Sequence, residues 1–139
     1  MSVSIVVCCY NRAHMLPQTM ASVFAQEYQP AEIVVLDDGS TDNTAELMAG
    51  YGDRIRYYHQ DNQGIAVARN NACRLAQGEY IAFIDDDDLM PPERIRILLD
   101  ALQQHPAAVM AVGDVAIIDD RGNLTGHRWL PESADNNQA

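Results

Sequence analysis

The sequence predicts an α/β fold with a mostly parallel central sheet covered by helices on both faces. Three observations predict it. Short β-like runs alternate with helical segments along most of the chain. Residues 2–9 (SVSIVVCC) form a near-continuous apolar run, the pattern of a strand buried on both faces. Polar and acidic clusters follow directly on three of the strand-like runs, at 9–12 (CYNR), 37–40 (DDGS) and 85–88 (DDDD). In such sheets ligands bind at the carboxyl ends of the strands, so three separate stretches are expected to meet at one rim.

The elements follow in order. Residues 2–9 are the first strand. Leu16, Met20, Val23 and Phe24 recur at helical spacing, with Pro17 tolerated in the first turn. Residues 32–37 (EIVVLD) are the second strand. Ser40, Thr41 and Asp42 offer N-caps to a short helix that holds Glu46 and ends near Gly50. Residues 55–59 (IRYYH) are a third strand, 61–64 a turn, and 65–76 a helix stopped by Gly78. Residues 80–84 (YIAFI) are a fourth strand that runs straight into the acids. Pro91 and Pro92 precede a helix with Ile95, Leu98, Leu99 and Leu102 on one face. Residues 108–118 read as a fifth strand bent near Gly113 and Asp114, 119–122 as a turn, and 124–130 as a weaker strand. The polar residues 131–139 are expected to form a flexible tail.

Composition bounds the function. The 139 residues carry a net charge of -11, against nonspecific nucleic-acid binding, which needs a basic face. All nine basic residues are Arg. The absence of Lys excludes a P-loop Lys, a Schiff-base Lys and a receiver-type Lys, so phosphate would be met by Arg, backbone N–H groups or metal. No apolar run approaches the roughly 20 residues of a membrane span. The first residues lack a basic n-region and a cleavage site, so a cytoplasmic location is expected, with the inner face of the membrane as a peripheral alternative. Cys8, Cys9 and Cys73 lack framework spacing and read as reduced, buried thiols.

The chemistry concentrates in the acids. Each like-charged pair among Asp85, Asp86, Asp87 and Asp88 costs about 4 kcal/mol at about 4 Å and an effective dielectric near 20. A solvated loop relieves part of this and a divalent cation more. Two carboxylates with phosphate oxygens and water suit Mg²⁺ or Mn²⁺. Alone, such a run is more often an acidic turn, but its place at the end of a buried strand favours metal. A calcium loop fails: counted from Asp85, the sixth position is Met90 and the twelfth Arg96, where Gly and Glu are needed. In DDGSTD, Gly39 permits a tight turn and Ser40 to Asp42 cap the next helix. Two carboxylates before the glycine exceed what capping requires, and one could accept from a base N–H or a ribose hydroxyl. Arg69, with Arg12 second, is a candidate to offset a diphosphate. His14, His59, His105 and His127 show no ligand spacing and read as surface or structural.

Four segments, SIVVCCYNR, EIVVLDDGSTDNT, GIAVARNNACRLAQGEYIAFIDDDD and LMPPERIRILLDALQQHP, together resemble the family 2 glycosyltransferases, inverting enzymes with the GT-A fold, a Rossmann-like three-layer architecture. The resemblance runs from Ser2 to about Gly122. It implies that Cys8, Tyr10 and Asn11 belong to the nucleotide-sugar site, Cys8 partly through its backbone. It implies that Asp38 bonds the uracil or equivalent base, that Arg69 stands near base or diphosphate, and that Asp86 faces the ribose. Asp87, with Asp85 sharing the task, would bind Mn²⁺ or Mg²⁺ in the family's DxD region. Many members have Pro-Thr where this chain has Cys8-Cys9. In the family the general base lies in a later segment; Asp114, Asp119 and Asp120 read as loop acids. Residues 1–130 are thus expected to be the donor-binding half of a truncated catalytic domain, able to hold a nucleotide-diphosphate sugar but not to transfer it efficiently. The acceptor, whether sugar, polysaccharide or lipid, is open. Apolar surface left uncovered would favour a homodimer.

Rival readings fare worse. A receiver domain needs acids after the first strand and a Lys after the fifth. A dinucleotide-dependent oxidoreductase needs G-x-G-x-x-G after the first strand. A sugar-1-phosphate nucleotidyltransferase carries a Gly-rich basic loop where this chain has CCYNRAHM. The serious alternative is a non-catalytic nucleotide- or metal-binding interaction domain derived from a glycosyltransferase.

Overall fold

The computed structural model describes residues 1–119 and 121–128. The chain divides into two compact units, Met1–Ile95 and Arg96–Ala139.

The first unit is built on a four-stranded parallel sheet in the order β3-β2-β1-β4. The strands are β1 (Val3–Cys9), β2 (Glu32–Asp37), β3 (Arg56–His59) and β4 (Tyr80–Asp85). Helices α1 (Leu16–Phe24), α2 (Thr44–Ala49) and α3 (Ile65–Leu75) connect them. Every residue of β1 is buried, as a central strand covered on both faces requires. Side chains alternate across the sheet. Val6, Cys8, Val34 and Leu36 pack with Ala68 and Ala72 of α3; the small alanines let the helix approach closely. The opposite-facing Ile5, Val7 and Val35 are equally buried, as are Leu16, Met20 and Val23 of α1 and Met48 of α2.

Two registers position the site. Cys8 pairs with Asp85, and Cys9 with Asp37. The expected fourth strand therefore extends one residue, taking Asp85 into the ladder. Gly78 admits β1 beside the turn into β4: a Cβ there would lie 2.6 Å from the Ser4 nitrogen. Gln26 locks the segment after β4, donating from Nε2 to the carbonyls of Met90 at 3.2 Å and Pro91 at 2.8 Å.

The unit boundary falls within helix α4 (Arg94–Gln104), where Ile95 and Leu99 are buried one turn apart, as the apolar spacing predicts. In the second unit, β5 (Ala116–Ile118) pairs antiparallel with β6 (Leu124–Arg128). The long fifth strand expected over 108–118 is a correction: only Ala116–Ile118 is a strand, and it lies in a separate two-stranded sheet. Val109, Met110 and Val112 are exposed. Their apolar character suggested a strand, but without ladder partners, and with Gly113 and Asp114 following, they form none. Asp119 is a loop acid, accepting from the backbone N–H groups of Arg121 at 2.9 Å and Asn123 at 2.8 Å. Asp120 and residues 129–139, including the predicted tail and the end of the predicted last strand, lie outside the described residues.

Candidate functional site

From β1 the chain steps outward to β2 and β3, then returns to β4 on the other side of β1. Parallel sheets open their crevices at such a reversal, beyond the carboxyl ends of the flanking strands. A cavity of about 490 Å³ opens here, a size that suits a small-molecule ligand. Its wall combines Cys8, Cys9, Tyr10 and Arg12 after β1, Asp38 after β2, Asn62, Gly64, Ile65 and Arg69 around the start of α3, and Asp85, Asp86 and Asp87 at the end of β4. The three polar clusters expected to meet do meet.

The two acids after β2 divide the work. Asp37 is fully buried and belongs to the fold. Its carboxylate accepts from the Tyr57 hydroxyl at 2.7 Å and the Ser40 N–H at 2.8 Å, and lies 3.3 Å from His59 Nδ1. Burial alone would raise its pKa, but the hydrogen bonds from Ser40, Tyr57 and His59 outweigh burial and hold it below the ordinary carboxylate value. Burial, together with the same bond, pushes the Tyr57 hydroxyl well above its usual range. Asp38, only 4% exposed, turns to the cavity. It accepts from Gln60 Nε2 at 2.6 Å and the Gln63 N–H at 3.0 Å on Oδ1, and from the Gly64 N–H at 2.8 Å on Oδ2. Asp38 thereby builds the 60–64 loop as the cavity's far wall. Gly39, at φ +84°, lets that loop close: a Cβ there would sit 2.7 Å from the Asn62 nitrogen.

Asn11 sits apart from its predicted role. It does not line the cavity. At φ +52° it turns its side-chain oxygen onto the Thr41 N–H at 2.7 Å and the Asp42 N–H at 3.3 Å, while its own N–H donates to Ser40 Oγ at 2.9 Å. It clamps the loop after β1 to the loop after β2. Asp42 completes the clamp, accepting from the Ala13 N–H at 3.0 Å and the Thr44 N–H at 3.0 Å at the start of α2.

The acidic run is held at defined points. The Asp86 carbonyl accepts from the buried Thr19 hydroxyl at 3.0 Å, and Asp86 Oδ2 accepts from the Tyr10 N–H at 3.2 Å. Arg12 Nη1 donates to Asp87 and, at 3.4 Å, to Asp86 Oδ1. Arg69 donates to Asp85. Asp88 faces away from the main cavity and lines a neighbouring depression with Phe83 and Arg94. Burial, with Asp85 and Asp86 nearby, raises its pKa.

Among the described residues no three His, Cys, Asp or Glu side chains converge as a ready-made metal cage. The donor set nevertheless fits Mg²⁺ or Mn²⁺, which take one or two carboxylates and complete their shell with water and phosphate oxygens. The two thiols in the wall offer no soft alternative. Burial pushes Cys8 up to about 11, and Cys9 still higher, so both stay protonated at neutral pH.

Sequence reasoning missed the wall formed by Asn62, Gly64 and Ile65, treating 61–64 as a plain turn. The available signal was Gly64 immediately before a helix. It also left His59 without a partner.

Comparisons with known proteins find relatives in sequence and in fold. The sequence pattern described as "Glycosyl transferase family 2" matches residues 4–138. Glycosyltransferase GlyG of Streptococcus pneumoniae serotype 4 is 37% identical over 112 residues, covering 78% of this chain and 37% of that protein. An uncharacterized glycosyltransferase of Rickettsia conorii is 36% identical over 124 residues, covering 87% of this chain and 20% of its own length. The chain thus spans well under half of each of these relatives. Among solved structures, S. aureus TarS in complex with UDP-GlcNAc aligns with a TM-score of 0.67 at 27% identity, covering 76% of this chain and 32% of that one. The mannosyltransferase PcManGT from Pyrobaculum calidifontis, in complex with GDP-Man and Mn²⁺, aligns at 0.64 and 27%, covering 86% and 36%.

Proposed function

Because the chain belongs to glycosyl transferase family 2 and has its GT-A-type α/β fold, we propose that residues 1–130 form the donor-binding half of a metal-dependent, inverting glycosyltransferase. The observation that carries this reading is the single cavity in which the ends of β1, β2 and β4 and the start of α3 converge. Relatives of the same fold bind UDP-GlcNAc and GDP-Man, which supports a nucleotide-diphosphate sugar as ligand.

The residues divide as follows in this reading. Cys8 and Tyr10 line the base pocket. Asp38 receives a base N–H. Its carboxylate has about four acceptor sites, and three protein donors already use three of them. The one left suits a base edge with a single N–H, as in uracil or thymine, so UDP is the first choice of donor nucleotide. Asp86 faces the ribose, and Arg69 and Arg12 meet the diphosphate. Asp87, assisted by Asp85, would hold Mg²⁺ or Mn²⁺, which when bound neutralises charge on the departing diphosphate. The acceptor hydroxyl and its general base belong to parts beyond this cavity.

Calorimetric titration with UDP, dTDP and GDP, with and without Mn²⁺, tests the reading. UDP binding that strengthens with Mn²⁺ is expected. Asp87→Ala should abolish the metal-dependent part alone. Equal, metal-independent binding of all three would contradict the assignment.

A further inference from the structure

Arg12, assigned to the diphosphate in the donor-site reading, rests on the acidic run instead. Its backbone is fixed: the Arg12 carbonyl accepts from the N–H groups of Met15 at 2.9 Å and Leu16 at 3.1 Å, entering α1, and Asn11 before it is clamped to the β2 loop. Its guanidinium, at the end of a long side chain that is 43% exposed, bridges Asp86 and Asp87. Asp86 cannot retreat from it, because its carbonyl is pinned by Thr19 and its Oδ2 by Tyr10. A long-armed cation on a fixed anchor thus rests on two of the carboxylates that line the cavity.

The charges show why it rests there. The cavity wall carries four carboxylates, Asp38, Asp85, Asp86 and Asp87, against two guanidiniums, Arg12 and Arg69. Asp38 is satisfied by neutral donors and Arg69 is engaged with Asp85. Arg12 is therefore the group that relieves the repulsion between Asp86 and Asp87. The Arg12–Asp87 pair, with side chains 43% and 37% exposed, is a solvent-screened ion pair, a weak kind.

We propose that Arg12 is an exchangeable cation: it bridges Asp86 and Asp87 while no ligand is bound, and it passes to the donor's diphosphate when a divalent metal takes Asp87. The proposal rests on the donor-site reading above. It makes Arg12 a coupling residue. The guanidinium opposes metal binding while no nucleotide is present and favours nucleotide binding once metal is bound, so the two ligands bind cooperatively through one side chain. A fork-shaped guanidinium suits both jobs, since it can bridge two carboxylates or two phosphate oxygens.

The experiment uses the full chain, wild type, Arg12→Gln and Arg12→Lys, with folding of each checked by circular dichroism. Mn²⁺ binding without nucleotide is followed by the electron paramagnetic resonance of the free ion, and UDP binding at saturating Mn²⁺ by calorimetry. Arg12→Gln should bind bare Mn²⁺ about two- to fivefold more tightly and UDP about tenfold more weakly. Arg12→Lys, which keeps the charge but not the fork, should fall between. Unchanged or weaker Mn²⁺ affinity in Arg12→Gln overturns the exchange, and unchanged UDP affinity overturns the transfer to the diphosphate. Should Arg12→Gln misfold, Arg12→Lys with wild-type values for both ligands overturns the proposal. A wild-type chain that binds no UDP even with Mn²⁺ instead defeats the donor-site reading, and the exchange with it.

Discussion

Asp37 and Asp38 are neighbours in the chain but point to opposite sides of the sheet: Asp37 takes the Tyr57 hydroxyl at 2.7 Å in the interior, and Asp38 takes the Gly64 N–H at 2.8 Å beside the cavity. Strand alternation alone turns one into the interior and the other toward the cavity. Substituting each should separate the two effects.

Asp37→Asn should show its effect in acid. The folded-state pKa of Asp37 lies below its ordinary value, so its contribution is complete above the unfolded pKa of about 4 and is lost as pH falls through the lower folded value. The variant should be less stable at pH 7, and its unfolding free energy should fall less steeply below about pH 4. Urea titrations across pH 2–7 check this; parallel acid limbs in wild type and variant would contradict it. Asp37→Ala, which strands the Ser40 N–H and Tyr57 hydroxyl, should cost ~2 kcal/mol or more.

Asp38→Ala should leave the sheet intact and loosen the 60–64 loop, which three hydrogen bonds to that carboxylate hold. Amide hydrogen exchange at Gln63 and Gly64 should rise at least tenfold, and UDP binding should fall below detection. Protection unchanged at those two amides would show that the loop is held otherwise.

Gly39→Ala should destabilise the chain by about 1–3 kcal/mol, since the position needs positive φ and the added Cβ would strike the Asn62 backbone. Thermal melts measure the loss. Gly52→Ala, also at positive φ but in open space, should cost less.

Cys8 lines the cavity yet should resist alkylation, because burial raises it to about 11 and keeps it a thiol at pH 7.5. Mass spectrometry after iodoacetamide should find Cys73, which is only partly buried, modified first.

Much of this was legible in the sequence, for particular reasons. β1 and β2 were found nearly to the residue because a doubly covered strand is apolar at most positions, as in VSIVVCC and EIVVLD. The convergence of CYNR, DDGS and DDDD followed from parallel topology alone. The role of Asn11 was not legible: its clamp on Thr41 and Asp42 depends on a positive φ that no neighbouring residue announces. Nor was the 60–64 wall, which backbone N–H groups build on Asp38. The expected strand over 108–118 failed because apolar residues such as Val109, 97% exposed, supply no ladder partner by themselves. The pairing of Arg12 with Asp87 joins residues 75 positions apart, beyond any local pattern.

The central claim is that one cavity at the β1–β4 reversal receives the nucleotide. Amide chemical-shift mapping of the labelled chain with UDP and Mg²⁺ tests it most directly. The backbone N–H signals of Tyr10, Gly64, Ile65 and Asp86 should move together and saturate at one affinity, while those of the second unit, such as Thr125, stay still. Shifts centred on another surface, with Tyr10 and Asp86 unmoved, would contradict it.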